Sequence, residues 1–189
     1  MIKHLFSDMD GTVLNSNGQM SEFTIKTIKE SGLPFTLVSA RSPQKMEEII
    51  NNLGIDGIHV AFNGGLIFEK NNKKNTILHS VPLEYNLARR LVLDIRNKFE
   101  NIGISLYDES YWNTDLETMG IKREYNIVKV GYKIVNFKKY FENTNKTIYK
   151  VSFIEHDEEV FKKLIDYVEE NYSKEQLTIQ KSLSGYLEI

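Results

Sequence analysis

Two carboxylates, Asp8 and Asp10, flank a single methionine at the end of an apolar N-terminal run that begins at Ile2. Acids held this close repel unless something positive lies between them. A hard divalent cation with oxygen ligands, such as Mg²⁺, is the usual answer. Gly11 follows at once and lets the backbone turn without a Cβ penalty. Two more clusters carry reactive types, Ser39-Ala40-Arg41 and Asn63-Gly64. Serine supplies a hydroxyl, and arginine clamps a phosphate or a second anionic group bidentately. These types suit phosphoryl transfer, which needs a nucleophile, an acid/base, a cation and donors for the phosphoryl oxygens. Asp8, straight off the strand end, is the candidate nucleophile, forming an aspartyl-phosphate. Asp10 then protonates the leaving oxygen and activates water.

Such residues meet only if each ends a strand of one sheet, because ligands of open α/β sheets gather beyond the carboxyl ends of the strands. The sequence supplies that frame. The run before Asp8 reads as a buried strand. Ser21 is positioned to cap a helix over 22–31, with Gly32 at its stop. Residues 34–38 read as a second buried strand that delivers Ser39. Ser42 then caps a helix with Pro43 at its first position. Met46, Ile49, Ile50 and Leu53 keep the i, i+3, i+4, i+7 spacing of a core-facing stripe. A third strand over 58–62 delivers Asn63. Strand–helix–strand–helix–strand is the pattern of a parallel sheet with right-handed crossovers.

The rhythm then changes. Residues 66–68 and 76–78 read as a hairpin around a polar tip, with Lys70–Lys74 as solvated loop. Pro82 marks a boundary, giving 1–81 and 82–189. Beyond it the patterns predict a helix over 83–99 and short strands over 104–107 and 111–113. A polar stretch over 115–126 has no assignable pattern. A strand follows over 127–135, a short helix within 135–143, and a strand over 148–154. A helix over 157–172 and strands over 177–180 and 186–189 close the chain. Helices with antiparallel strands indicate a second, α+β lobe.

Composition narrows the class. The 189 residues are 26% charged and 41% hydrophobic, with a net charge of −2. No basic field invites nucleic acid or anionic lipid. The absence of cysteine excludes disulfides and thiol catalysis. No signal peptide and no membrane-spanning run is visible, so a cytoplasmic protein is expected. His4, His59, His79 and His156 have no metal-ligand spacing. Asp8–Gln19 misfits a calcium loop, with Val13 where glycine and Gln19 where glutamate is needed.

Asp8-Met9-Asp10-Gly11-Thr12-Val13-Leu14 resembles motif I of the haloacid dehalogenase-like (HAD) hydrolases, mostly Mg²⁺-dependent phosphatases. Ser39-Ala40-Arg41 resembles motif II of the Cof-type subfamily, with alanine in place of the usual glycine. Asn63-Gly64 is similar to the pair that ends that subfamily's third strand. The segment Ser184-Gly185-Tyr186-Leu187-Glu188-Ile189 resembles the close of a C2B-type cap. The resemblance implies an α/β, HAD-like Rossmannoid core at 1–81, incomplete, carrying an inserted α+β cap at 82–189. It implies Asp8 as nucleophile and Asp10 as general acid/base. Ser39, Arg41, Asn63, Gly64, Gly11 and Thr12 would bind substrate and phosphate, and Asp8 and Asp10 would hold Mg²⁺. The substrate class would be a small phosphomonoester, such as a sugar phosphate.

The family's later lysine and Gly-Asp-x-x-Asn-Asp motif have no counterpart in these residues. That predicts weakened metal affinity and leaves the first strand as an apolar edge open to self-association or a partner. The rivals to a phosphatase are a catalytically silent phospho-ligand or partner-binding protein, one half of a two-chain enzyme, and a transferase that moves phosphate between two sugar positions.

Overall fold

The computed structural model describes residues 2–72, 74–144, 146–172, 177–181 and 185–189. The chain divides into two compact units, Met1–Val81 and Pro82–Ile189. Ser184, in the cap-closing segment, lies outside the described residues.

The first unit is built on β1 (Leu5–Asp8), α1 (Glu22–Glu30), β2 (Phe35–Val38), α2 (Pro43–Leu53), β3 (Gly57–Ala61), β4 (Leu66–Asn71) and β5 (Lys74–Ser80). Its sheet runs β1-β2-β3-β4-β5, parallel across the first three strands and antiparallel across the last three. Ser21 caps α1 by accepting from the Thr24 N–H. Ser42 caps α2, whose Met46, Ile49, Ile50 and Leu53 are buried as the spacing requires. Register separates two faces. Phe35, Leu37, His59, Ala61, Leu66 and Phe68 lie on a buried face. Phe6, Val38, Val60 and Ile67 share the other, where Phe6 is 68% exposed.

Two expectations change here. The first strand is not buried but an edge, because only β2 pairs with it. Lys70 is not loop tip but the buried end of β4, where its ammonium meets Glu47 at 2.9 Å. Charge runs show composition, and cannot show that a facing helix offers a carboxylate.

The second unit comprises α3 (Tyr85–Lys98), β6 (Gly103–Asp108), β7 (Trp112–Thr114), α4 (Met119–Val128), β8 (Tyr132–Ile134), α5 (Phe137–Tyr140), β9 (Ile148–Ile154), α6 (Glu158–Asn171), β10 (Gln180–Lys181) and β11 (Tyr186–Glu188). The sheet order is β10-β11-β9-β6-β7-β8. Leu91, Val92 and Ile95 of α3 and Leu164 and Val168 of α6 join Ile104, Leu106, Val151, Phe153 and Leu187 in one apolar core. No helix among the described residues is long and apolar enough to cross a membrane.

The expected strand over 127–135 is corrected. Its first residues belong to α4, and only Tyr132–Ile134 form β8, paired in parallel with β7. Thr118 caps α4, and Lys129 ends it in the left-handed region at φ 55°. Gly120 obscures this helix in the sequence, since glycine disfavours helix interiors. Contact selects it: a Cβ there would sit 2.7 Å from Ile154 Cγ2.

Candidate active site

The corner after β1 is shaped by the backbone. Met9 C=O accepts the N–H groups of Thr12 (3.4 Å) and Leu14 (2.8 Å), closing a tight turn over Asp10 and Gly11. Gly11 holds φ at +77°, which other residues rarely adopt. The turn buries Met9, Val13 and Leu14 and leaves Asp8 and Asp10 at the surface. Asp8 Oδ1 accepts the Met9 N–H at 2.8 Å, which fixes the carboxylate's orientation.

The ends of β2 and β3 are laced together beside it. Ser39 N–H donates to Val60 C=O, Asn63 N–H to Ser39 C=O, and Phe62 N–H to Arg41 C=O, each at 3.0 Å. The buried Ser39 Oγ accepts the Arg41 N–H at 3.1 Å. Phe62 and Asn63 both sit in the left-handed region, at φ 51° and 54°. Asparagine tolerates this; for a bulky phenylalanine it is strain of a kind that clusters at functional sites. Ala40 is not among the positive-φ residues, so alanine fits where the resembled motif has glycine. The N-terminus of α2 follows directly, with its unpaired N–H groups favourable to anions.

Asp8, Asp10, Ser39 and Asn63 line one pocket of about 440 Å³, together with Phe6 and Val38. Gly11, Thr12, Gly64 and Arg41 are not among its lining residues. Arg41 turns instead to Asp10, donating from Nε to Oδ2 at 3.1 Å and from Nη2 to Oδ1 at 2.6 Å. Sequence reasoning placed Arg41 on the substrate side and missed this pair. Spacing of 31 residues gives no hint of it, though both lie at strand ends that a parallel sheet brings side by side.

The donor set fits a hard cation in part. Among the described residues no group of three His, Cys, Asp or Glu could hold a metal ion. Both Asp10 oxygens are engaged by Arg41, which leaves the Asp8 carboxylate and backbone carbonyls. Mg²⁺ commonly takes one or two carboxylates, with substrate phosphate and water completing its shell.

Fold and site together define an α/β protein whose reactive groups gather beyond the carboxyl ends of parallel strands. The chain matches the haloacid dehalogenase-like hydrolase family over residues 5–189, and it belongs to that family. A putative phosphatase of Haemophilus influenzae is 26% identical over 195 residues, covering 100% of this chain and 69% of that protein. Two further putative phosphatases are matched over 49% and 34% of their lengths, so the chain spans only part of these relatives. A solved Thermotoga maritima structure superposes with a TM-score of 0.82 at 18% identity, covering 100% of this chain and 68% of that one. A HAD subclass IIB sugar phosphatase superposes with a TM-score of 0.70 at 15% identity, covering 99% and 69%. At these identities the solved structures bear on the fold.

Proposed function

We propose that the chain is the Asp8-bearing part of a Mg²⁺-dependent phosphatase acting on a small phosphomonoester. The observation that carries this reading is the single pocket lined by Asp8, Asp10, Ser39 and Asn63. The sugar-phosphatase neighbour supports a phosphorylated sugar as the substrate type, and residues 82–189 are read as the cap that selects it.

In this reading an Asp8 carboxylate oxygen attacks phosphorus as the bond to the ester oxygen breaks. Asp10, protonated, gives its proton to the departing alkoxide. Asp10, now ionised, takes a proton from water as that water attacks the aspartyl-phosphate, releasing inorganic phosphate and restoring Asp8. The Ser39 hydroxyl, the Asn63 amide and the N–H groups at the start of α2 are the donors for the phosphoryl oxygens. Arg41 orients Asp10, and substrate loosens that pair when Asp10 takes up its proton. A bound Mg²⁺, held by the Asp8 carboxylate and the Asp10 carbonyl, would offset the charge of phosphate beside Asp8.

The test is phosphate release from a generic phosphomonoester with Mg²⁺, beside Asp8→Asn. Turnover that is lost in the variant and on chelation, and regained with Mg²⁺, supports the reading. Equal background in both proteins refutes it. A second reading, binding of a phosphorylated ligand without turnover, is favoured by one observation: both Asp10 oxygens are held by Arg41. Saturable binding of phosphate without release from any ester would select it.

A further inference from the structure

The first unit has two sheet edges, and they are guarded unequally. β5 carries Lys74 and His79, and its ladder with β4 is broken by an irregularity at Ile67/Phe68. Charges and bulges of this kind discourage edge-to-edge pairing. β1 has a regular ladder with β2, without bulge or proline. The Leu5 N–H donates to Pro34 C=O at 2.9 Å. In a parallel ladder that phase points Leu5 and Ser7 at β2 and turns the backbone groups of His4, Phe6 and Asp8 away from the sheet. The Phe6 ring, stacked on His4 at 4.5 Å, lies open beside this row.

We propose that β1 is a docking edge for a second copy of this chain, paired antiparallel about a two-fold axis at Phe6. The charge along the strand selects this occupant. The segment runs from a basic end, Lys3 and His4, to an acidic end, Asp8. Antiparallel self-pairing sets opposite ends together, whereas parallel pairing would set like against like. A two-fold normal to the sheet matches residues of the same face. Centred on Phe6, it sets Phe6 against the partner subunit's Phe6 and His4 against the partner subunit's Asp8, each contact occurring twice or on the axis. Aromatic pairs and opposite-charge pairs are the side-chain contacts that stabilise such ladders. Centring on Leu5 instead would set Ile2 against the partner subunit's Asp8 and forfeit the complementarity. The Asp8 carbonyl already accepts the Ser7 hydroxyl at 2.9 Å, so the central exchange of two backbone bonds falls at Phe6.

The proposal stands apart from the phosphatase reading, since it needs no turnover. Sedimentation velocity over a wide dilution series should show a monomer–dimer equilibrium for the unmodified chain. Phe6→Pro, which deletes the central N–H and the ring, should leave monomer only. Proline is tolerated where a strand's N–H faces outward, and circular dichroism checks that the fold persists. His4→Asp sets acid against acid and should weaken the dimer at least tenfold. The swap His4→Asp with Asp8→Lys should restore it, and this pair of variants keeps the test decisive if Phe6→Pro fails to fold. A monomer at every concentration overturns the proposal. So does a dimer indifferent to Phe6→Pro and His4→Asp, or a charge swap that fails to restore association.

Discussion

Two bidentate arginine–aspartate pairs sit in the two units, and the same chemistry does different work in each. In the second unit Arg96 donates from Nε and Nη2 to Asp115, both at 2.7 Å. It spends its other donors on the carbonyls of Phe99, Glu100 and Ile102. Both side chains are nearly buried, at 16% and 15% exposure. The pair fastens the end of α3 to the strand after β7, and a neighbouring hollow of about 490 Å³ is lined by charges already committed to each other. In the first unit Arg41 binds only Asp10 among the described residues, with 27% and 57% exposure. A fully satisfied guanidinium is a staple. One with spare donors, at the rim of a pocket of acids and a hydroxyl, is free to exchange partners.

The largest test of that contrast removes each aspartate. Asp115→Ala leaves Arg96 as an uncompensated, nearly buried charge and should cost about 3 kcal/mol in urea unfolding. Asp10→Ala breaks a mostly solvated pair and should cost under about 1 kcal/mol. Turnover should answer in reverse: Asp10→Ala should lower kcat about 10²- to 10⁴-fold, as loss of a general acid–base does, and Asp115→Ala should leave the chemical step intact in folded protein. Equal stability costs for the two would erase the distinction.

The units should also differ in their response to pH. Burial pushes the His59 imidazole of the first unit down to about 4. Its Nδ1 accepts the Leu37 N–H at 3.2 Å, which requires a neutral ring at that nitrogen. The folded value lies below the unfolded one near 6.5, so this stability is present above about pH 6.5. It is lost as pH falls toward 4, to a limit on the order of 3 kcal/mol. In the second unit burial, with Asp94, Asp108 or Glu124 as partner, raises the Tyr172, Tyr140 and Tyr186 hydroxyls above their ordinary value. Their contribution is present below about pH 10 and lost above it. Thermal unfolding against pH should therefore show an acid limb that His59→Gln flattens and an alkaline limb that it leaves unchanged.

A smaller difference concerns two helix caps. Asp157 Oδ1 accepts two N–H groups, from Glu159 and Val160, both at 3.0 Å. Ser42 Oγ accepts one, from Lys45 at 3.4 Å. Asp157→Ala should cost about 1 kcal/mol and Ser42→Ala about half that, measured by urea midpoint. If α2 is also an anion site, Ser42→Ala should weaken phosphate binding more than it weakens the fold.

Much of the first unit was legible because its signals are local. Ser21 and Ser42 before apolar stripes fix two helices, and the acid pair with Gly11 fixes the turn. The strand ends at Ser39 and Asn63 follow from short apolar runs. What was hidden depends on contacts distant in sequence. The Arg41–Asp10 pair and the burial of Lys70 against Glu47 exist only once strands and helices are assembled. α4 escaped because its interior glycine is chosen by contact with Ile154, against local preference. The exposed side of β1 was legible only as an expectation about pairing, since an apolar run reads alike at an edge and in the middle of a sheet.

The most direct measurement of the central claim is intact-mass analysis of protein quenched in acid during turnover of a phosphomonoester with Mg²⁺. The account predicts one added phosphoryl group, labile to hydroxylamine, mapping to Asp8 and absent from Asp8→Asn. A phosphoryl group on any other residue, or turnover that persists in Asp8→Asn without a trapped adduct, would contradict it.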